Sequence, residues 1–87
     1  MNTYHTFVHG RCPIKRAWDY YTLEIVSDET ILCEEIERSA NIVRGATMTQ
    51  EKMAKQISEL LPGITFKLIG VHSNVRTEVY YVGHASK

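Results

Sequence analysis

The hydrophobic period of this chain runs from two to helical and back to two, and that order restricts the folds open to it. Tyr21, Leu23 and Ile25 alternate with Tyr20, Thr22 and Glu24, the mark of a half-buried strand over Trp18 to about Val26. Before it, Tyr4, Thr6 and Val8 alternate with His5, Phe7 and His9, which predicts a first strand from Thr3 to about His9. The segment from Gly10 to Arg16, with its glycine and Pro13, reads as the connection. After the polar turn Ser27 to Thr30, Ile36, Ala40 and Val43 recur at helical spacing within a helix of about Glu34 to Arg44, stopped by Gly45. A second stripe of Met53, Ala54, Ile57, Leu60 and Leu61 follows Thr47 and Thr49, either of which can cap it, and Pro62-Gly63 ends it. Period two then returns from Ile64 to Ser73, where Ile64, Phe66 and Leu68 share a face that Gly70 and His72 continue. Ser73-Asn74 turns the chain into a fourth strand, Val75 to Val82, and residues 83–87 read as a flexible tail.

The result is a ββααββ chain of the α+β class. Its apolar faces are buried most simply by a four-stranded antiparallel sheet with two helices packed on one side. At 87 residues there is room for one domain, 1–87, and for only a small core. Association of copies through open sheet edges would add burial, so a homo-oligomer is expected. Ten basic and ten acidic residues give zero formal charge, which disfavours nucleic acid as a partner. No stretch approaches the ~20 apolar residues of a membrane span, and the polar start does not have a signal-peptide layout, so a cytoplasmic protein is expected. Cys12 and Cys33 match no common zinc or redox spacing and read as reduced thiols, Cys33 as buried packing beside the first helix.

Met48 to Ile57, followed by Leu60-Leu61-Pro62-Gly63 and Ile64 to Leu68, resembles the helix-then-strand segment of the tunnelling-fold proteins. Among these it is most similar to 6-pyruvoyltetrahydropterin synthase and 6-carboxytetrahydropterin synthase. The resemblance implies sheets joined edge to edge into a barrel, with a purine-like or pterin-like ligand at the junction of subunits. It also implies what to look for in the way of a metal: one histidine from the first strand and a His-x-His pair around the second. Here His9-Gly10-Arg11 ends in arginine, and Trp18-Asp19-Tyr20 opens the second strand, so the zinc triad is missing. Arginine stays protonated and offers no lone pair to a metal. The family's ring-anchoring glutamate would fall near His72-Ser73, where no acid stands, and the nearest carboxylate is Glu78 in the next strand.

Two polar groupings remain as candidate ligand-binding residues. His9, Arg11 and Arg16 lie beside Trp18 and Tyr20, a mixture in which arginine forks grip an anion and aromatic faces accept a flat ring. His72 and Arg76 flank the last turn. No catalytic set is legible, and the expectation leans away from an enzyme. It is for a non-enzymatic, homo-oligomeric module that binds a small anionic or heterocyclic, nucleotide-like ligand without a cofactor. Zinc enters only in the alternative, a pterin-type lyase with His5, His9, His72 and Cys12 in a rearranged site. A third reading is a protein-binding adaptor presenting Tyr20, Thr22 and Glu24.

Overall fold

The computed structural model describes residues 1–15 and 17–83. In it β1 (Asn2–Arg11) and β2 (Trp18–Ser27) precede α1 (Cys33–Val43) and α2 (Gln50–Leu60), and β3 (Phe66–His72) and β4 (Val75–Tyr81) follow. The strands form one antiparallel sheet of 4 strands in the order β1-β2-β3-β4. Both helices cover the same face, α1 over β1 and α2 over β3 and β4.

The alternation in β2 sorts its side chains as the sequence predicts. Tyr21, Leu23 and Ile25 are buried under the helices, beside Val8 of β1 and Phe66 and Leu68 of β3. The helices meet them with Ile36, Ala40 and Val43 from α1 and Met53, Ala54 and Ile57 from α2. Of the two possible caps Thr49 acts, its hydroxyl accepting the Lys52 N–H at 3.3 Å. Ser73 and Asn74 both take positive φ, the two-residue turn that suits the twist of a hairpin.

Two expectations change. First, β1 runs on through Gly10 and Arg11, which pair with Asp19 and Trp18 instead of belonging to the loop. They stay extended because the chain between the helices lies along their other edge: the Gly45 N–H donates to His9 O at 2.8 Å and the Arg11 N–H to Ala46 O at 2.9 Å. Gly45 makes this return with φ +78°, where glycine carries no steric penalty. Second, Cys33 is exposed at the first residue of α1, because Ile31 fills the adjoining core and its N–H is held by the Tyr4 hydroxyl at 3.0 Å. The expected tail at about 83–87 is described only at its first residue. The Gly83 N–H donates to Thr65 Oγ1 at 3.0 Å, and residues 84–87 lie outside the described residues.

The face away from the helices carries a polar ladder and several uncovered apolar side chains. Lys67 bridges Glu24 and Glu78 at 3.4 and 3.3 Å, while Phe7, Tyr20, Val71 and Tyr80 stand exposed. The edges also differ. Among the described residues β4 has no strand on its outer side, whereas the free edge of β1 is capped from Phe7 to Arg11.

Arg44 supplies the first part of that cap. Its guanidinium donates to Phe7 O at 3.0 and 2.9 Å, to Thr6 Oγ1, to Asn41 Oδ1 and to both carboxylate oxygens of Glu37. These donors, with the Thr6 hydroxyl, hold the Glu37 carboxyl at about 2, below its ordinary 4.5. The ionised form is therefore favoured by folding, and its contribution is full above pH 4.5 and disappears as pH falls through about 2. Glu37 is half exposed, so screening keeps the effect modest. In chemical denaturation at a series of pH values, Glu37→Gln is expected to flatten the loss of stability between about pH 4.5 and 2. An acid limb identical to that of the unaltered protein would contradict the role given to this pair.

Candidate functional site

The β1–β2 register brings a thiol and a carboxylate to the same end of the sheet. Cys12 follows the last pair of the hairpin, Arg11 with Trp18, and its N–H donates to Ala17 O at 3.0 Å, which fixes the loop against β2. Asp19 pairs with Gly10, on the same side of β2 as Tyr21. β3 adds His72 from its end, and the first turn of α2 adds Gln50.

These residues surround two adjoining cavities. The larger, about 470 Å³, is lined by Cys12, Tyr21, Gln50, Glu51, His72 and Thr77 among others. The smaller, about 210 Å³, has Cys12, Lys15, Asp19, His72 and Ser73 in its walls. Cys12 and His72 belong to both, so the thiol and the imidazole stand where the cavities meet. A volume of this size suits a small heterocycle. Lys15 closes the rim, donating to Ser73 Oγ at 2.9 Å and tying the β1–β2 loop to the β3–β4 turn.

Asp19 is the unusual group. Its Oδ2 is buried without an aligned hydrogen bond, although His72 Nδ1 lies 3.3 Å away. A buried polar atom left short of a partner costs free energy, and among the described residues the Arg11 Nε, on the open face, is in the same position. Tyr21 completes the cluster, its ring 5.7 Å from that of His72. Burial first, then the nearby Asp19 and Cys12, push the Tyr21 phenol up to about 12.

Gln50 is buried and fully engaged. Its Nε2 donates to Leu68 O at 2.8 Å and Thr77 O at 3.2 Å, and its Oε1 accepts from Thr77 Oγ1 at 2.7 Å and faces His72 Nε2 at 3.2 Å. The sequence hides this role, because a glutamine in the first turn of an amphipathic helix reads as solvated.

The seven ligand-binding candidates do not gather in one place. His72 stands at the cavities. His9, Trp18 and Tyr20 alternate onto the open face of the sheet, where the Arg11 guanidinium lies 4.8 Å from the Trp18 ring centre and the His9 ring 5.6 Å from it. Arg76 shares that face and contacts Glu78 at 3.4 Å, and Arg16 lies outside the described residues. The four residues of the rearranged metal site separate likewise, with His5 and His9 on the open face and His72 and Cys12 at the cavities. Among the described residues no three His, Cys, Asp or Glu side chains are grouped to hold a metal ion. No described helix is long and apolar enough to cross a membrane.

No protein-family model and no curated protein matches this chain. A crystal structure of the archaeosine synthase QueF-Like in the apo form does match in fold, with a TM-score of 0.75 over 98% of this chain and 95% of that one, at 19% identity. The two share the ββααββ fold.

Tyr21 can lie across β3 only because residue 70 is glycine. A Cβ there would fall 2.5 and 2.6 Å from Tyr21 Cδ1 and Cε1. Gly70→Ala is therefore expected to displace the ring and to cost about 1–3 kcal/mol of stability in denaturant titration. An alanine variant as stable as the unaltered protein, with its most alkaline tyrosine still ionising near pH 12, would contradict this packing.

Proposed function

We propose that this protein binds a flat purine-like or pterin-like heterocycle in the cavity at the Cys12 end of the sheet and bonds it covalently through Cys12. The observation that carries the reading is the presence of a half-buried thiol, an imidazole and a half-buried carboxylate, whose Oδ2 is buried without a hydrogen bond, in the walls of adjoining cavities. The likeness in fold to an archaeosine synthase favours a nucleoside-type ring as the ligand.

A thiol next to an acid suits addition better than displacement. The Cys12 sulfur adds to an electrophilic carbon of the ligand that is multiply bonded to nitrogen or oxygen. As the C–S bond forms, the π pair moves onto the heteroatom, which takes a proton from the Asp19–His72 pair, and the thiol proton replaces it on the pair. The net change is addition of S–H across the multiple bond, with no oxidant, reductant or metal in the balance. Tyr21, kept neutral up to about pH 12, forms a wall of the cavity for the ring.

The assembly belongs to the same proposal. The unpaired edge of β4 and the exposed Phe7, Tyr20, Val71 and Tyr80 support association of copies of this chain, which would cover both.

Native mass spectrometry with 6-cyanopurine reads the adduct and the subunit number together. The expected result is an oligomer whose subunits each gain the full mass of the nitrile, with Cys12→Ser gaining none and Cys33→Ser behaving as the unaltered chain. A monomer would remove the assembly. Absence of the adduct, or its persistence in Cys12→Ser, would remove the covalent role of Cys12.

A further inference from the structure

Gln50 makes more hydrogen bonds than the packing of a helix start requires, and its oxygen faces the His72 imidazole. Its orientation is not open to exchange of the amide atoms. Leu68 O and Thr77 O are carbonyls that can only accept, so the atom facing them at 2.8 and 3.2 Å must be the NH₂ nitrogen. Oε1 is thereby turned toward His72 Nε2 at 3.2 Å, and the Thr77 hydroxyl, which donates to the same oxygen at 2.7 Å, fixes it further. A carbonyl oxygen cannot donate, so His72 Nε2 must.

We infer that Gln50 is a positioning residue: its locked amide holds the proton of neutral His72 on Nε2 and turns the bare Nδ1 toward Asp19 and the cavities. Nδ1 and Asp19 Oδ2 are 3.3 Å apart without an aligned hydrogen bond, so Nδ1 is left as the ring atom that can take up and return a proton at the site. The opposite tautomer would leave Nε2 bare against the Gln50 oxygen.

The other titratable groups near the ring do not supply this constraint. Tyr21 from β2 contacts the ring through its aromatic face, 5.7 Å between centres. Cys12 and Lys15 from the β1–β2 loop and Glu51 from α2 share its cavities, with the Lys15 ammonium held by Ser73. Glu78 of β4 is engaged by Lys67 and Arg76. Among the described residues only Gln50 and Asp19 face the two ring nitrogens.

The catalytic consequence rests on Cys12 acting as proposed above, but the position of the proton does not. It is read directly from ¹H–¹⁵N correlation spectra of the His72 ring, with no ligand present. The unaltered protein is expected to show neutral His72 protonated on Nε2. Gln50→Leu should shift the ring toward the Nδ1–H form, while Gln50→Glu, which keeps an accepting oxygen, should retain Nε2–H. With 6-cyanopurine, Gln50→Leu is expected to slow the capture step at saturation roughly tenfold, a part of what a placed acid contributes, and to leave the half-saturating concentration unchanged. Neutral His72 protonated on Nδ1 in the unaltered protein would overturn the inference even if no variant folds, as would an unchanged tautomer in a folded Gln50→Leu. Failure of 6-cyanopurine to react with the unaltered protein would count against the covalent reading alone, since the spectra still decide the tautomer.

Discussion

The register of β1 against β2 is the constraint on which the rest of this structure depends. Because side chains alternate across a strand, a slip of one residue would carry Tyr21, Leu23 and Ile25 from the helices to the open face and Asp19 away from His72. The core and the cavity are thus set by one alignment, from Asn2 with Ser27 to Arg11 with Trp18. Burial of the apolar set fixes it strongly, and the polar groups at its end benefit from a rigidity they do not provide. The segment joining the helices protects the same alignment from outside, occupying the β1 edge through Arg44, Gly45 and Ala46.

At the cavity end, the buried Gln50 and the half-buried Asp19 show opposite degrees of satisfaction. Gln50 has every hydrogen-bonding position filled and ties the start of α2 to β3 and β4. Asp19, on the neighbouring strand, keeps an oxygen without an aligned donor. A completed network stiffens a site, while a buried atom left unpaired costs free energy. His72 stands between the two and is touched by both.

Much of the fold was legible because it follows from periodicity. The alternation in β2, the two helical stripes, the Thr49 cap, the Ser73-Asn74 turn and the inward placement of Gly70 and His72 all appear in the structure. The extension of β1 was not legible, since it depends on a distant segment lying along its edge. The exposure of Cys33 was hidden for a similar reason, as Ile31 takes the nearby core position. The candidate site was only half visible. Reading His9, Arg11, Trp18 and Tyr20 as neighbours along the chain put together residues on the open face, while Asp19 and Tyr21, interleaved with them, point to the other side. Cys12 carried no spacing signal, and Gln50 had the look of a solvent-facing residue.

The central claim is that the ligand enters on the helix side of the sheet, and amide chemical-shift mapping with hypoxanthine separates the two faces. Perturbations concentrated at Cys12, Asp19, Tyr21, Gln50, His72 and Thr77 are expected, with the open face quiet. Perturbations centred on His9, Arg11, Trp18 and Tyr20 would place the ligand on the opposite face and contradict the claim.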